Sequence, residues 1–211
     1  TRGWDSTAFG TMQGSETFLN VFVFFLIFAG IILDKMGVRF TAILSGSVLV
    51  IGGAIQLYAI SPYFVEGNAL YDFLNSFWTS FPANAKLASA GFAIFGCGVE
   101  MAGITVSKAI VKWFTGKEMA LAMGLEMAIA RLGVFAVFRL SPFVANLGTP
   151  DVVRPVAVVG ALLCVGLISF IVYSFMDKKL DAQLGAAAAG EPEDPFKVSD
   201  LGKLFTSKTF L

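Results

Sequence analysis

The chain has 211 residues, of which 56% are hydrophobic and only 14% charged, with a mean hydropathy of +0.78; a soluble domain carries roughly a quarter charged residues. Fifteen lysines and arginines balance fifteen aspartates and glutamates, so no global charge points to nucleic acid or to an acidic partner. Histidine is absent, which removes imidazole metal ligands and every Ser/His or Cys/His catalytic arrangement; neither an enzyme nor a cofactor is expected.

A bilayer's hydrocarbon core is about 30 Å thick and takes about 20 helical residues to cross. Five apolar runs suit that length: 7–33, 40–60, 87–111, 119–147 and 155–176. Residues 1–5 read as a polar loop cut from something longer. Asp5 or Ser6 is then the N-cap of the first span, Trp4 its interfacial anchor, and the Gly10/Gly14 pair a site for close helix contact. Cys97 and Cys164 sit within apolar runs, where a thiol acts as a small hydrophobe, and no disulfide is expected.

Between the second and third spans, Leu70, Phe73, Leu74, Phe77, Trp78 and Phe81 recur at helical spacing. They predict an amphipathic helix over about 70–81, on the membrane surface or capping the bundle, with a disordered aromatic loop as the alternative. Residues 177–211 read as a cytoplasmic linker, broken by Gly and Pro, with a short amphipathic segment from 196 onward.

Orientation follows from lysine and arginine near the span ends. With the N-terminus outside, Lys35, Arg39, Lys112, Lys117, Lys178 and Lys179 are cytoplasmic, against Arg2, Lys86 and Arg154 outside. The C-terminus is then cytoplasmic. An odd span count with an external N-terminus implies a preceding helix beyond this sequence.

The first cytoplasmic loop carries Gly30, Asp34, Lys35, Gly37 and Arg39 in the spacing G-x-x-x-D-K-x-G-x-R. Asp34 falls at a helix end, Gly37 permits a tight reversal, and the cations face an anionic leaflet. Any cytoplasmic hairpin can carry such charges, but the full spacing closely resembles the signature loop of the major facilitator superfamily. The resemblance implies an all-α membrane protein whose five spans are helices two to six of the superfamily's N-terminal bundle, followed by its central cytoplasmic loop. It also implies a conformational gating role for the loop and a missing second half as partner. One superfamily feature is unmatched: Phe92 stands where an arginine precedes the Gly-x-Gly of helix four, here Gly96 and Gly98.

Ionisable residues inside the third and fourth spans carry the most information, because a charge at the bilayer centre costs at least about 3 kcal/mol. Glu100 lies thirteen residues into its span, roughly 20 Å, and Arg131 twelve into the next, roughly 18 Å, from the opposite surface. A hairpin centred between residues 115 and 116 puts them at one depth. Gly96, Gly103 and Ser107 share the face of Glu100, a small and polar stripe able to line a pathway. Two readings stand: an ion pair fastening two helices, or a site for the charged ends of a solute at the midplane. Lys108 and Glu126, shallower, form a possible second polar pair.

The segment 96–133 is similar to bacterial relatives of the superfamily's lysosomal dipeptide transporter branch, in G-x-G-x-E ending at Glu100, W-F-x-G-K-E starting at Trp113, and A-R-L-G around Arg131. That resemblance implies that Glu100 and Arg131 hold the amino and carboxylate ends of a peptide. The expectation is therefore transport of a dipeptide or other small zwitterion by alternating access, in a bacterial inner membrane, with the lipid bilayer and a small solute as partners. An organic-anion transporter of the same superfamily and a non-transporting membrane scaffold are the alternatives.

Overall fold

The computed structural model describes residues 4–114 and 116–184, and among them every regular element is an α-helix. In chain order these are α1 (Ser6–Phe22), α2 (Phe25–Ile60), α3 (Ala69–Asn75), α4 (Ala83–Trp113), α5 (Gly116–Ala145) and α6 (Val153–Leu184). Four of them, α2, α4, α5 and α6, are long and apolar enough to cross a bilayer, as an all-α membrane protein requires.

The run predicted as one span over 7–33 is divided. Asp5 caps α1 as expected, its carboxylate accepting from the Ala8 amide at 2.6 Å. The helix then stops at Phe22, and Phe24 adopts a left-handed conformation (φ 53°, ψ 38°) before α2 restarts. Residues 21–25 are an unbroken Val/Phe series whose side chains crowd the preceding helical turn, and 21–24 are exposed, so no packing holds them in register. Within α2 the reversal predicted at Gly37 is present as a single non-helical residue (φ 80°, ψ 166°), separating 25–36 from 38–60. Only glycine takes that φ without a steric penalty.

Contacts between helices fix their directions. α1 runs parallel to α4: the Trp4 indole donates to the Asn84 side chain (3.0 Å), Ser15 Oγ to the Ser89 carbonyl (2.9 Å), and the Asn20 amide to the Gly96 carbonyl (3.4 Å). The 38–60 part of α2 runs antiparallel to α4, Leu49 meeting Gly98 and Gly52 meeting Gly91 and Phe95. A Cβ on Gly52 would lie 2.6 Å from the Phe95 backbone nitrogen. On its other side the same segment runs antiparallel to α6, with Gly46 against Leu167 and Phe170 and Gly53 against Leu163. The buried residues of α2 and α4 are mostly Ala, Gly, Ser and Thr, which is how helices approach closely in lipid, where apolar surface gains nothing by leaving its solvent.

Two further expectations are corrected. The predicted 70–81 helix is only seven residues long, α3, and Trp78 has a positive φ of 47°. Lys86 ends it: its ammonium donates to the carbonyls of Leu74 (2.6 Å) and Phe77 and lies 4.5 Å from the Phe77 ring centre. Phe73, Phe77 and Trp78 are exposed, whereas Phe81 is buried against Ala8 and Ala85. At the other end, residues 177–184 are not linker but the last turns of α6, held by Asp177 as described below. The rest of the predicted linker and the segment from 196 onward lie outside the described residues.

Candidate functional site

The signature-loop residues and the ends of α4 and α6 meet at one end of the bundle. Gly37 is kept in place by Thr41, whose hydroxyl donates to the Gly37 carbonyl at 2.9 Å. Asp34, just before the interruption, accepts from Lys108 Nζ at 3.0 Å, so the residue that sequence reasoning set beside Glu126 is brought to the loop. Glu126 itself is half-buried on α5, Lys35 is exposed and Gly30 half-buried. Just after the interruption, Arg39 reaches α6: Nε is 3.7 Å from Asp177 and NH1 3.2 Å from Asp181.

Asp177 is the centre of this network and 1% exposed. Its carboxylate accepts from Lys112 Nζ (2.8 Å), Trp113 Nε1 (3.0 Å) and the Tyr173 hydroxyl (3.4 Å), while Lys112 also reaches Asp181 at 2.8 Å. A buried carboxylate is tolerable when charge-assisted bonds fill its lone pairs in this way. Sequence reasoning assigned Arg39 to the gating loop, Lys112 only to the membrane edge and Asp177 to the linker. The available signal was an acid one turn after Tyr173, where the apolar run ends among lysines.

The two predicted site residues lie in mid-helix, on α4 and on α5. Glu100 is half-buried on α4, and Glu16 of α1 lies close enough to interact with it electrostatically. Gly96, one turn earlier, is covered by α1 so closely that a Cβ would overlap the Glu16 carbonyl oxygen. Farther along the same face the stripe is open, with no atom within 4 Å of a Cβ built on Gly103. Arg131 is exposed, on a helix that buries no residue. Among the described residues no ion pair joins it to Glu100. A place in neighbouring helices does not guarantee that two side chains face each other, and α4 packs its other faces against α1 and α2.

Compared with curated proteins, the chain is similar to the lysosomal dipeptide transporter MFSD1. With that of Bos taurus it is 24% identical over 206 residues, 93% of this chain and 39% of the relative. With that of Danio rerio it is 26% identical over 191 residues, 86% of this chain and 36% of the relative. With that of Gallus gallus identity reaches 37%, over 65 residues and 31% of this chain. The chain thus spans about two fifths of the length of the first two relatives. No family model matches, and no solved structure matches. The relatives are named as transporters, not enzymes.

A cavity of about 300 Å³ lies where α2, α4, α5 and α6 approach one another, with Phe92, Phe95, Val137 and Leu163 among its walls and Gln56 and Ser141 as polar members. Phe92 and Phe95 stack with ring centres 5.7 Å apart and planes 15° from parallel. An aromatic wall therefore occupies the place where the superfamily resemblance would put an arginine.

Proposed function

We propose that the chain is the N-terminal part, helices two to six, of a major facilitator transporter that moves a dipeptide or other small zwitterion by alternating access. In this reading Glu100 faces the solute's ammonium and Arg131 its carboxylate, and the pathway is completed by the rest of the transporter. The observation that carries the proposal is that two ionisable residues, deep in spanning helices, are not locked to each other. A charge held at that depth needs a partner, water or a ligand, and an anion and a cation on neighbouring helices that form no ion pair with each other among the described residues suit a zwitterion. The similarity to dipeptide transporters over most of the chain supports the same reading.

The Gly37 hinge, with Gly30, Asp34, Lys35 and Arg39 around it, is the proposed gating loop. Its end of the bundle gathers Lys35, Arg39, Lys112, Lys117, Lys178 and Lys179 and is proposed to face the cytoplasm, with the N-terminus outside. The bacterial inner membrane reading rests on the branch resemblance, whereas the relatives' names place them in the lysosome. Cysteines introduced at Val38 and Gly116 should resist external membrane-impermeant labelling while one at Gly67 labels; the reverse pattern would invert the orientation.

The decisive experiment is uptake by the full-length parent in proteoliposomes, against dipeptides, amino acids and dicarboxylates. Glu100→Gln should weaken dipeptide uptake while the protein stays folded. Arg131→Lys should weaken it as well, because the charge persists but the planar fork that suits a carboxylate is lost. Full transport by the double variant Glu100→Gln/Arg131→Gln would eliminate the site.

A further inference from the structure

At the hinge end a second cavity, of about 310 Å³, opens between α2, α4 and α6. Ala42, Val106, Ala109, Ile110 and Phe170 form most of its wall. Its two aliphatic hydroxyls are already committed, Thr105 donating to the Met101 carbonyl (2.6 Å) and Ser169 to the Val165 carbonyl (2.9 Å). A peptide segment placed here would leave its own backbone groups unpaired, which an apolar slot cannot compensate. A hydrocarbon chain has no such groups to satisfy.

Trp113 and Tyr173 also line the cavity, and their N–H and O–H point into the Asp177 network. Arg39 and Lys112 are paired there with Asp177 and Asp181, and the next two residues of α6, the exposed Lys178 and Lys179, add two cations at the same end of the bundle, four cations to two anions. Arg39 and Lys112 keep 43% and 35% of their side-chain surface open, and both following lysines are exposed. An apolar slot, an amphipathic aromatic boundary and a cationic rim follow one another in the order of a phospholipid's own parts.

The geometry points to a binding site for one anionic phospholipid, its acyl chain in the slot between α2, α4 and α6 and its headgroup at the rim of Arg39, Lys112, Lys178 and Lys179. The site is separate from Glu100 and Arg131 and does not depend on what the protein transports. A lipid seated there bridges three helices beside the Gly37 interruption.

Trp113 is a built-in reporter, since the other two tryptophans, Trp4 and Trp78, lie at the opposite end. The chain carrying Trp4→Phe and Trp78→Phe is reconstituted in phosphatidylcholine vesicles containing a minor fraction of lipid brominated on its acyl chains, either phosphatidylglycerol or phosphatidylcholine. Brominated phosphatidylglycerol should quench Trp113 at about a 25-fold lower fraction, roughly fivefold for each excess charge. Lys178→Gln with Lys179→Gln should erase that preference, and Ala109→Phe, which fills the slot, should remove the quenching itself. Equal quenching by the two lipids overturns the anionic site. Quenching by neither shows the slot filled by protein, a second copy or another segment, and overturns it too. Should Ala109→Phe fail to fold, the lysine variants decide alone, because they alter only exposed side chains.

Discussion

α4 and α5 are neighbours of nearly equal length, both apolar enough to span a membrane and both carrying ionisable residues in mid-helix. α4 buries ten residues, from Ala83 to Thr105, and α5 buries none. The difference lies in where the small residues fall. Gly91, Gly96 and Gly98 of α4 each touch the backbone of another helix, whereas no atom lies near a Cβ built on Gly124 or Gly133 of α5. α4 is thus the member against which α1 and α2 are packed, α6 lies against the far side of α2, and α5 rests at the edge. Charges behave accordingly: Glu100 is half-buried, and Arg131 is exposed.

The largest expected effect lies where α4 is tied to its partners. Asp177→Ala should destabilise the protein by about 3 kcal/mol, because Lys112, Trp113 and Tyr173 lose the buried carboxylate that accepts from them. Glu126→Gln on α5 is the matched control and should leave the thermal unfolding midpoint in detergent nearly unchanged. An Asp177→Ala protein as stable as the parent would mean that the network is not what joins α6 to α4.

Next in size is Gly96→Ala. The added methyl meets the Glu16 backbone rather than a flexible side chain, so α1 must move away, at a cost of about 1–3 kcal/mol. Cysteines at Ser15 and Ser89, whose parent residues are hydrogen-bonded across the helices, should crosslink in the parent and lose that crosslink in the variant. Retained crosslinking at unchanged stability would show that α1 is not packed on α4 there.

How far these contacts were legible in the sequence depends on the interaction involved. Long apolar runs and the Gly37 reversal are local signals, set by hydropathy and by a backbone angle that only glycine adopts easily, and both appear in the fold. The break at Phe24 was not legible because every residue around it is apolar, and hydropathy does not register crowding of branched and aromatic side chains. α3 was overextended for another reason: helical spacing continues to Phe81, but Lys86, far along the chain, takes the carbonyls that end the helix. For the candidate site, membership of a long helix could be read by counting along the apolar runs, while azimuth could not. Glu100 and Arg131 were therefore correctly numbered into long spanning helices but not shown to meet. Asp177 was missed because a single acid among lysines looks like a surface residue until Arg39 and Lys112 converge on it.

Asp34→Asn should have a smaller effect on stability. Its bond to Lys108 joins side chains that are 36% and 32% exposed, and exposed pairs contribute about 0.2–1 kcal/mol. If the loop gates transport, uptake by the parent should fall by more than that loss of stability explains. Proportional losses of uptake and folded protein would reduce Asp34 to a structural role.

The smallest effects belong to the glycines of α5, and they test what its bare surface is for. Gly124 and Arg131 are seven residues apart and share a helix face, while Gly133 lies two residues on and points away from it. With nothing near either Cβ position, Gly124→Leu and Gly133→Leu should each be neutral or stabilise this chain by up to about 1 kcal/mol, since leucine is the better helix former. Equal stability with unequal function is the informative outcome. If the Arg131 face lines the solute pathway of the parent, Gly124→Leu places bulk beside the site and should lower dipeptide uptake severalfold, while Gly133→Leu transports normally. Uptake impaired equally by both, or by Gly133→Leu alone, would mean that Arg131 points away from the pathway, and that the exposed surface of α5 serves packing against the rest of the transporter.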